Sequence, residues 1–121
     1  MSDEIRRELM KGGVIDITTK GRRTGEPRRI EIRLHNVDDV LYLTGTPGLR
    51  GWHANLLANP NFKLHLKRDL VADLDAHAEE IRDADEKRRI ERIILDRVGR
   101  VEQLEDRMKA SPLMRITVAL D

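Results

Sequence analysis

Apolar and polar residues alternate along six short stretches of the chain, and this period of two predicts six β-strands. The predicted strands are Val14–Thr19, Pro27–His35, Val40–Thr44, Asn61–Lys67, Leu70–Ala78 and Leu113–Leu120. Short turns separate several of them, among them Asn36–Asp39 and Arg68–Asp69. We therefore expect the first three strands to form an antiparallel meander and the fourth and fifth to form a hairpin.

Other segments have the apolar spacing of helices. The segment Asp3–Lys11 begins with acidic residues and ends at a glycine pair, which is typical of a short helix. Arg50–Asn59 predicts a second short helix, which ends before a proline. A longer apolar stripe begins after Asp83, a capping residue, and ends near Gly99. Val101–Met108 predicts one more short helix after it.

Six antiparallel strands in 121 residues favour a closed or half-closed barrel, because closure leaves no strand edge exposed. We expect one mainly β domain over residues 1–121, a six-stranded antiparallel barrel. A short helix would be inserted between the third and fourth strands, and the other helices would pack outside the barrel. A domain of this size would also gain stability from association with a second copy.

Composition excludes several classes of site. The 23 lysines and arginines nearly balance 22 acidic residues, so no overall field attracts nucleic acid or a membrane. Cysteine is absent, and the four histidines lack paired ligand spacing, so we expect no disulfide and no metal site. With one tryptophan, one tyrosine and one phenylalanine, the chain lacks the stacking platform of a single-strand binder. We expect His65 and His77, on polar strand faces, to be solvated.

The N-terminus does not have the pattern of a signal peptide, and no apolar run has the length of a membrane span. These features predict a cytoplasmic protein.

Positive charge is concentrated in the turn between the first two predicted strands. From Lys20 to Arg33 six cations accompany two carboxylates, and Gly21 and Gly25 lie within the turn. Glycines let backbone N–H groups approach a ligand, and arginines present planar forks to phosphate or carboxylate oxygens. The turn is therefore either a solvated hairpin tip or the binding site of a small anionic ligand.

Two motifs resemble a known family. Residues 18–28 match T-T-x-G-R-x-T-G-x-P-R, and residues 52–60 match W-x-x-N-L-x-A-N-P, in the same order and at a similar separation. Together they resemble the deazaflavin-dependent nitroreductase family of the flavin/deazaflavin oxidoreductases, which have a split β-barrel fold. The resemblance implies a dimer that binds the deazaflavin coenzyme F420 and transfers a hydride between it and a quinone, enone or nitro compound.

The resemblance also implies which residues contact the cofactor. In this chain they are Arg22, Arg23, Thr24, Arg28, Ile30, Glu31, Ile32, Thr44, Gly45, Thr46, Trp52 and Asn55. Lys20 and the arginines would bind the anionic phosphate and polyglutamate tail of the coenzyme. Glu31 stands where many members have proline, so its carboxylate would either lie near the ring or face solvent.

Several alternatives stay open from sequence. Trp52 could instead be a core residue that anchors the short helix, and Asn55 could be structural. The cofactor could be FMN, whose phosphate the same turn would suit, or the protein could bind the coenzyme, a fatty acid or a tetrapyrrole without turnover. Hydride transfer requires no nucleophile from the protein, so no catalytic acid or base is assigned.

Overall fold

Six antiparallel strands form a closed barrel in the order β1-β2-β3-β6-β5-β4, which confirms the predicted architecture. The computed structural model describes residues 3–45 and 51–119. The strands are β1 (Gly13–Lys20), β2 (Pro27–Val37), β3 (Val40–Thr44), β4 (Asn61–Lys67), β5 (Val71–Glu80) and β6 (Leu113–Val118). The helices are α1 (Asp3–Lys11), α2 (Gly51–Ala58), α3 (Ala84–Arg97) and α4 (Leu104–Ala110), and a 3-10 turn covers Val101–Gln103.

Side chains that alternate along the strands fill the barrel. Ile15 and Ile17 of β1 are buried, as are Leu41 and Leu43 of β3, and Leu9 of α1 joins them. A second apolar cluster lies outside the barrel, where Tyr42 packs with residues of α3 such as Ile90 and Ile94. Trp52 and Leu56 of α2 belong to the interior cluster, so α2 packs on the barrel core. The outer cluster also contains residues of β2 and β6, so α3 packs against the outer faces of β2, β3 and β6.

Most strand boundaries agree with the sequence prediction, but β2 is longer. Val37 pairs with Val40, so the predicted four-residue turn shrinks to Asp38 and Asp39. Both have positive φ, 54° and 65°, which is the backbone of a two-residue hairpin turn. The side-chain oxygen of Asn36 accepts a hydrogen bond from the N–H of Asp39 at 2.8 Å, and this bond stabilises the turn.

The first half of β2 is exposed on both faces. It pairs with β1 from Pro27 to Leu34, whereas β3 pairs with β2 only from His35 to Val37. Ile30 is accordingly 36% exposed, although it lies on the same side of the sheet as the buried Ile17. Among the described residues, the closed barrel is therefore least covered at this end, which we call the open end, and the exposed cationic turn adjoins it.

Candidate functional site

The cationic turn and α2 enclose a cavity of about 390 Å³ at the open end of the barrel. Its lining brings together seven of the residues that the family resemblance implied. They are Arg22, Arg23, Thr24, Arg28, Ile30, Trp52 and Asn55, and Thr19, Gly21 and Gly51 complete the lining. Residues far apart in the sequence, in the two separate motifs, therefore form one site.

Local hydrogen bonds fix the shape of the turn. The N–H of Gly21 donates to Glu26 O at 2.8 Å, and the N–H of Gly25 donates to Gly21 O at 2.9 Å. Gly25 has φ of 75°, a conformation that glycine adopts without steric cost. Thr24 Oγ1 accepts from the N–H of Glu26 at 3.1 Å, so its hydroxyl also supports the turn.

Asn55 connects α2 to the turn with both ends of its amide. Its Oδ1 accepts from the N–H of Arg22 at 3.1 Å, and its Nδ2 donates to Thr19 Oγ1 at 3.0 Å. Asn55 is 6% exposed, and a buried amide with both ends bonded holds its neighbours in place. Asn55 thus lines the cavity and also positions the backbone of the turn.

Three arginine side chains at the site, those of Arg22, Arg23 and Arg28, are exposed. Within residues 3–45 and 51–119, their guanidinium groups form no ion pair. Arg29, the next residue on β2, instead bonds Asp16 Oδ2 at 3.0 Å on the other face of the sheet. The cavity therefore has an uncompensated positive charge, which suits an anionic ligand.

Trp52 has both of the roles considered from sequence. It is 8% exposed and belongs to the apolar cluster inside the barrel, so it anchors α2 to the core. It also lines the cavity beside the arginines. A flat ligand in this cavity would have an indole wall at one side.

Glu31 lies on the opposite face of β2 from Arg28 and Ile30. It pairs across the sheet with Asp16, and its Oε2 accepts from Lys67 Nζ at 2.5 Å. Lys67 also bonds Asp16 at 2.7 Å, and this bond lowers the pKa of the Asp16 carboxyl. The carboxylate of Glu31 thus belongs to an ion-pair group on the outer surface and does not line the cavity.

Three more of the implied residues, Ile32, Thr44 and Gly45, do not line this cavity. Ile32 is half-buried and packs on the barrel core. Thr44 is buried at the end of β3, where its hydroxyl contacts Glu91 and Pro112, and Gly45 O accepts from Arg107 at 2.9 Å. The prediction for Thr46 falls outside the described residues.

The turn has a second cavity on its other side, of about 460 Å³. This space lies between the end of β1 and the start of β4, and Lys20, Pro27, Phe62 and Lys63 are among its lining residues. It lacks the arginines and Trp52. The smaller cavity is therefore the better candidate for the functional site, because it combines charge, an aromatic wall and a fixed backbone.

The prediction that His65 is solvated was wrong. His65 is 7% exposed, its Nε2 lies 2.7 Å from Thr18 Oγ1, and its Nδ1 lies 2.7 Å from Asp73 Oδ1. Asp73 is the cross-strand partner of His65 on β5, a neighbour that alternation within one strand does not reveal. His77 is exposed, as expected, and contacts Asn61.

Within the described residues, histidines and carboxylates form no group of three that could hold a metal ion. In the same part of the chain, no helix has the length and apolar character needed to cross a membrane.

Several solved structures have the same fold, and the names of two of them mention different ligands, heme and FAD. The heme storage protein HutZ from Vibrio cholerae aligns with a TM-score of 0.74 at 16% identity, covering 99% of this chain and 91% of its own. A FAD-binding protein from Mesorhizobium loti aligns with a TM-score of 0.70 at 16% identity, covering 99% and 91%. A conserved hypothetical protein from Mycobacterium tuberculosis aligns at 0.74 and 16% identity, covering 99% and 82%. At these identities the likeness shows the fold alone.

No curated relative matches the sequence. A family model does match: the one described as F420H(2)-dependent quinone reductase aligns with residues 2–119, nearly the whole chain. With its split-barrel fold and the two motifs united in one cavity, the chain belongs to the F420H2-dependent quinone reductase family, and it is an oxidoreductase.

Proposed function

We propose that this protein binds reduced F420 in the cavity between the β1–β2 turn and α2 and delivers a hydride to a quinone or a similar conjugated acceptor. The observation that carries this proposal is the cluster of Arg22, Arg23 and Arg28, which line the cavity and have no carboxylate partner among the described residues. F420 has a phosphate and a polyglutamate tail, and bidentate guanidinium groups bind such oxyanions well.

Each part of the site has a task in this proposal. The arginines and the backbone of the turn would hold the anionic part of the cofactor, and Thr24 would add a hydroxyl near it. Trp52 and Ile30 would provide an apolar wall for the ring system. Asn55 would keep the turn at a fixed distance from α2. F420, when bound, supplies the hydride, and the protein supplies position and electrostatic stabilisation.

The acceptor would approach from the open side of the barrel, where the first half of β2 is exposed. Ile30 is 36% exposed there, and none of the described residues that line the cavity is acidic. An apolar, electron-poor ring such as a quinone suits this surface better than a cationic substrate does. Nitro compounds and enones are further members of the same substrate class.

The protein would act as a homodimer. Among the described residues, β2 pairs with β1 from Pro27 to Leu34 but pairs with β3 only from His35 to Val37, so one edge of its first half has no strand partner there. A second copy could cover this edge and shield the cavity from water. Sedimentation at micromolar concentration tests this: a dimer is expected, and a monomer with bound cofactor would reject it.

An equilibrium titration tests the cofactor assignment. Purified protein is titrated with F420 and, in parallel, with FMN, while the fluorescence of Trp52 and of the cofactor is followed at two salt concentrations. We expect tight binding of F420 that weakens with salt, because exposed ion pairs are screened. Preference for FMN would replace the cofactor in this proposal, and binding of neither would direct the search to tetrapyrroles and fatty acids.

A further inference from the structure

A buried polar cluster lies on the outer side of β3, where the chain leaves the barrel towards α2. Its centre is Glu91 of α3, which has 0% exposure. Glu91 contacts Thr44 at the end of β3 and Arg107 of α4, and Thr44 in turn contacts Pro112. We call these four residues the Glu91 cluster. None of them lines the cofactor cavity, and the proposed function assigns the cluster no role.

The two contacts of the Thr44 hydroxyl indicate that the Glu91 carboxyl is protonated. Thr44 Oγ1 lies 2.6 Å from Glu91 Oε1 and 2.7 Å from the carbonyl oxygen of Pro112. A carbonyl oxygen can only accept, and a hydroxyl has one proton to donate. If Glu91 were ionised, Thr44 would face two acceptors with one proton. If Glu91 is protonated, its O–H donates to Thr44 Oγ1 and Thr44 donates to Pro112 O.

The second oxygen of Glu91 supports the same assignment. Glu91 Oε2 lies 3.7 Å from Arg107 Nη1, beyond hydrogen-bond distance, and has no other partner in the described part of the chain. Arg107 Nη1 instead donates to Gly45 O at 2.9 Å. A buried carboxylate with one oxygen unsatisfied is costly, whereas a neutral acid loses much less on burial.

The surrounding charges do not reverse this assignment. Arg107 from α4 and Lys87 from α3 both favour the ionised form, while β3 and the residue before β6 present the neutral groups Thr44 and Pro112. Lys87 Nζ donates to Met108 O at 3.2 Å. Burial has the largest effect and raises the pKa of the Glu91 carboxyl above its ordinary value.

We propose that Glu91 is a positioning residue that stays protonated and, through Thr44 and together with Arg107, fixes the backbone of Thr44 and Gly45 at the rim of the barrel. This inference rests on the proposed function in one respect, since the family resemblance places these two residues at the cofactor. The acid acts by donating a hydrogen bond to Thr44. Glutamine, a neutral donor of similar shape, should therefore preserve this role, whereas an apolar residue should abolish it.

The protonation state is tested without any cofactor. An infrared difference spectrum between the parent protein and Glu91→Gln at neutral pH should contain the C=O band of a protonated carboxylic acid. Because a carboxyl with a raised pKa costs stability once the unfolded chain ionises, Glu91→Gln should gain stability relative to the parent as pH rises above 4.5. Absence of the band, with Glu91→Gln destabilised most at neutral pH, would overturn the proposal.

The positioning role is tested by amide hydrogen exchange at Thr44 and Gly45 and by the F420 dissociation constant. Glu91→Leu should speed exchange at both amides and raise the dissociation constant about tenfold, the factor that corresponds to about 1.4 kcal/mol. Glu91→Gln should leave both unchanged. Glu102→Leu, at an exposed glutamate of the 3-10 turn, is the matched control.

If Glu91→Leu does not fold, two variants of Thr44 provide an alternative test. Thr44→Val removes the hydroxyl that links Glu91 to Pro112 and should reproduce the faster exchange, whereas Thr44→Ser should restore the parent's behaviour. If neither Glu91→Leu nor Thr44→Val changes exchange at Gly45, the positioning role is refuted. If the parent itself does not bind F420, the proposed function fails, while the exchange and infrared results still decide the role of Glu91.

Discussion

The side-chain amide of Asn55 accepts a hydrogen bond from the backbone N–H of Arg22 across 3.1 Å, joining α2 to a turn that lies 33 residues earlier in the chain. Through its second bond, to Thr19 Oγ1, it also holds the end of β1. The two motifs of the sequence are therefore physically connected. One supplies the charges of the site, and the other fixes the backbone that presents them.

Replacement of Asn55 should loosen the turn as well as weaken the fold. Asn55→Ala removes two hydrogen bonds and leaves the buried hydroxyl of Thr19 without its donor, so we expect a loss of roughly 1–3 kcal/mol of stability. The F420 dissociation constant should rise in the same variant. Thermal unfolding and a cofactor titration measure the two effects.

Asn59→Ala is the matched control, because Asn59 is an asparagine of the same segment whose Oδ1 accepts only from the N–H of Asn61, at 3.2 Å, among the described residues. It should leave cofactor affinity unchanged. Equal affinity losses in the two variants would mean that Asn55 has no specific link to the site.

Removal of the guanidinium groups of Arg22 and Arg28 should weaken cofactor binding without unfolding the protein. Each charge-assisted hydrogen bond contributes roughly 1.5–3 kcal/mol, and the contributions of two neighbouring arginines are not fully additive. We expect Arg22→Ala with Arg28→Ala to cost roughly 2–4 kcal/mol of F420 binding, or roughly 30- to 1,000-fold in the dissociation constant. The salt dependence of binding should become shallower.

The control for this pair replaces two exposed arginines outside the cavity, Arg92→Ala with Arg100→Ala. It changes the net charge by the same amount, so it separates local contact from the overall field. If the control pair weakens binding as much as the turn pair does, the arginines of the turn act only through net charge.

Trp52 should prove to be both core residue and cavity wall. Because its indole is 8% exposed and packs in the barrel, Trp52→Ala should lose roughly 3–5 kcal/mol of stability. Trp52→Phe keeps an aromatic ring and most of the packing, so it should fold and retain measurable F420 affinity. Chemical denaturation and cofactor fluorescence distinguish the two contributions, and an unchanged stability of Trp52→Ala would contradict the core role.

Local patterns in the sequence predicted much of this fold. Alternation predicted the strand β1, whose residues Ile15 and Ile17 are buried. Asp83 caps α3, accepting from the N–H of Glu86 at 2.9 Å as its spacing indicated. The glycines and arginines of the turn lie within eleven residues and could be interpreted together. Signals of this kind depend on neighbours that are close in the chain.

Contacts between distant segments could not be predicted in the same way. His65 is buried because Thr18 and Asp73, on two other strands, flank it. Glu91 lies on α3, whose apolar spacing indicates neither its burial nor its contact with the Thr44 hydroxyl 47 residues earlier. Glu31 faces Lys67 because β1, β2 and β4 adjoin, a relationship that follows from strand register rather than from the composition of β2.

His35 should make the protein less stable in mild acid. It lies on β2 opposite Tyr42, and burial, followed by the charges of Arg33, Arg97 and Arg107, lowers its pKa from 6.5 to about 4. The unfolded chain binds a proton near pH 6.5, whereas the folded protein resists it until about pH 4. Stability therefore falls as pH drops through this window.

His35→Gln removes this titration, so its stability relative to the parent should increase as pH falls from 6.5 to 4. The shift corresponds to at most roughly 3.5 kcal/mol, at about 1.4 kcal/mol per pH unit. Urea unfolding at several pH values measures it, with His77→Gln, at an exposed histidine of β5, as the control. A constant difference between His35→Gln and the parent over this range would show that His35 takes up its proton equally in the folded and unfolded states, and the arginines around it would then have no influence on acid stability.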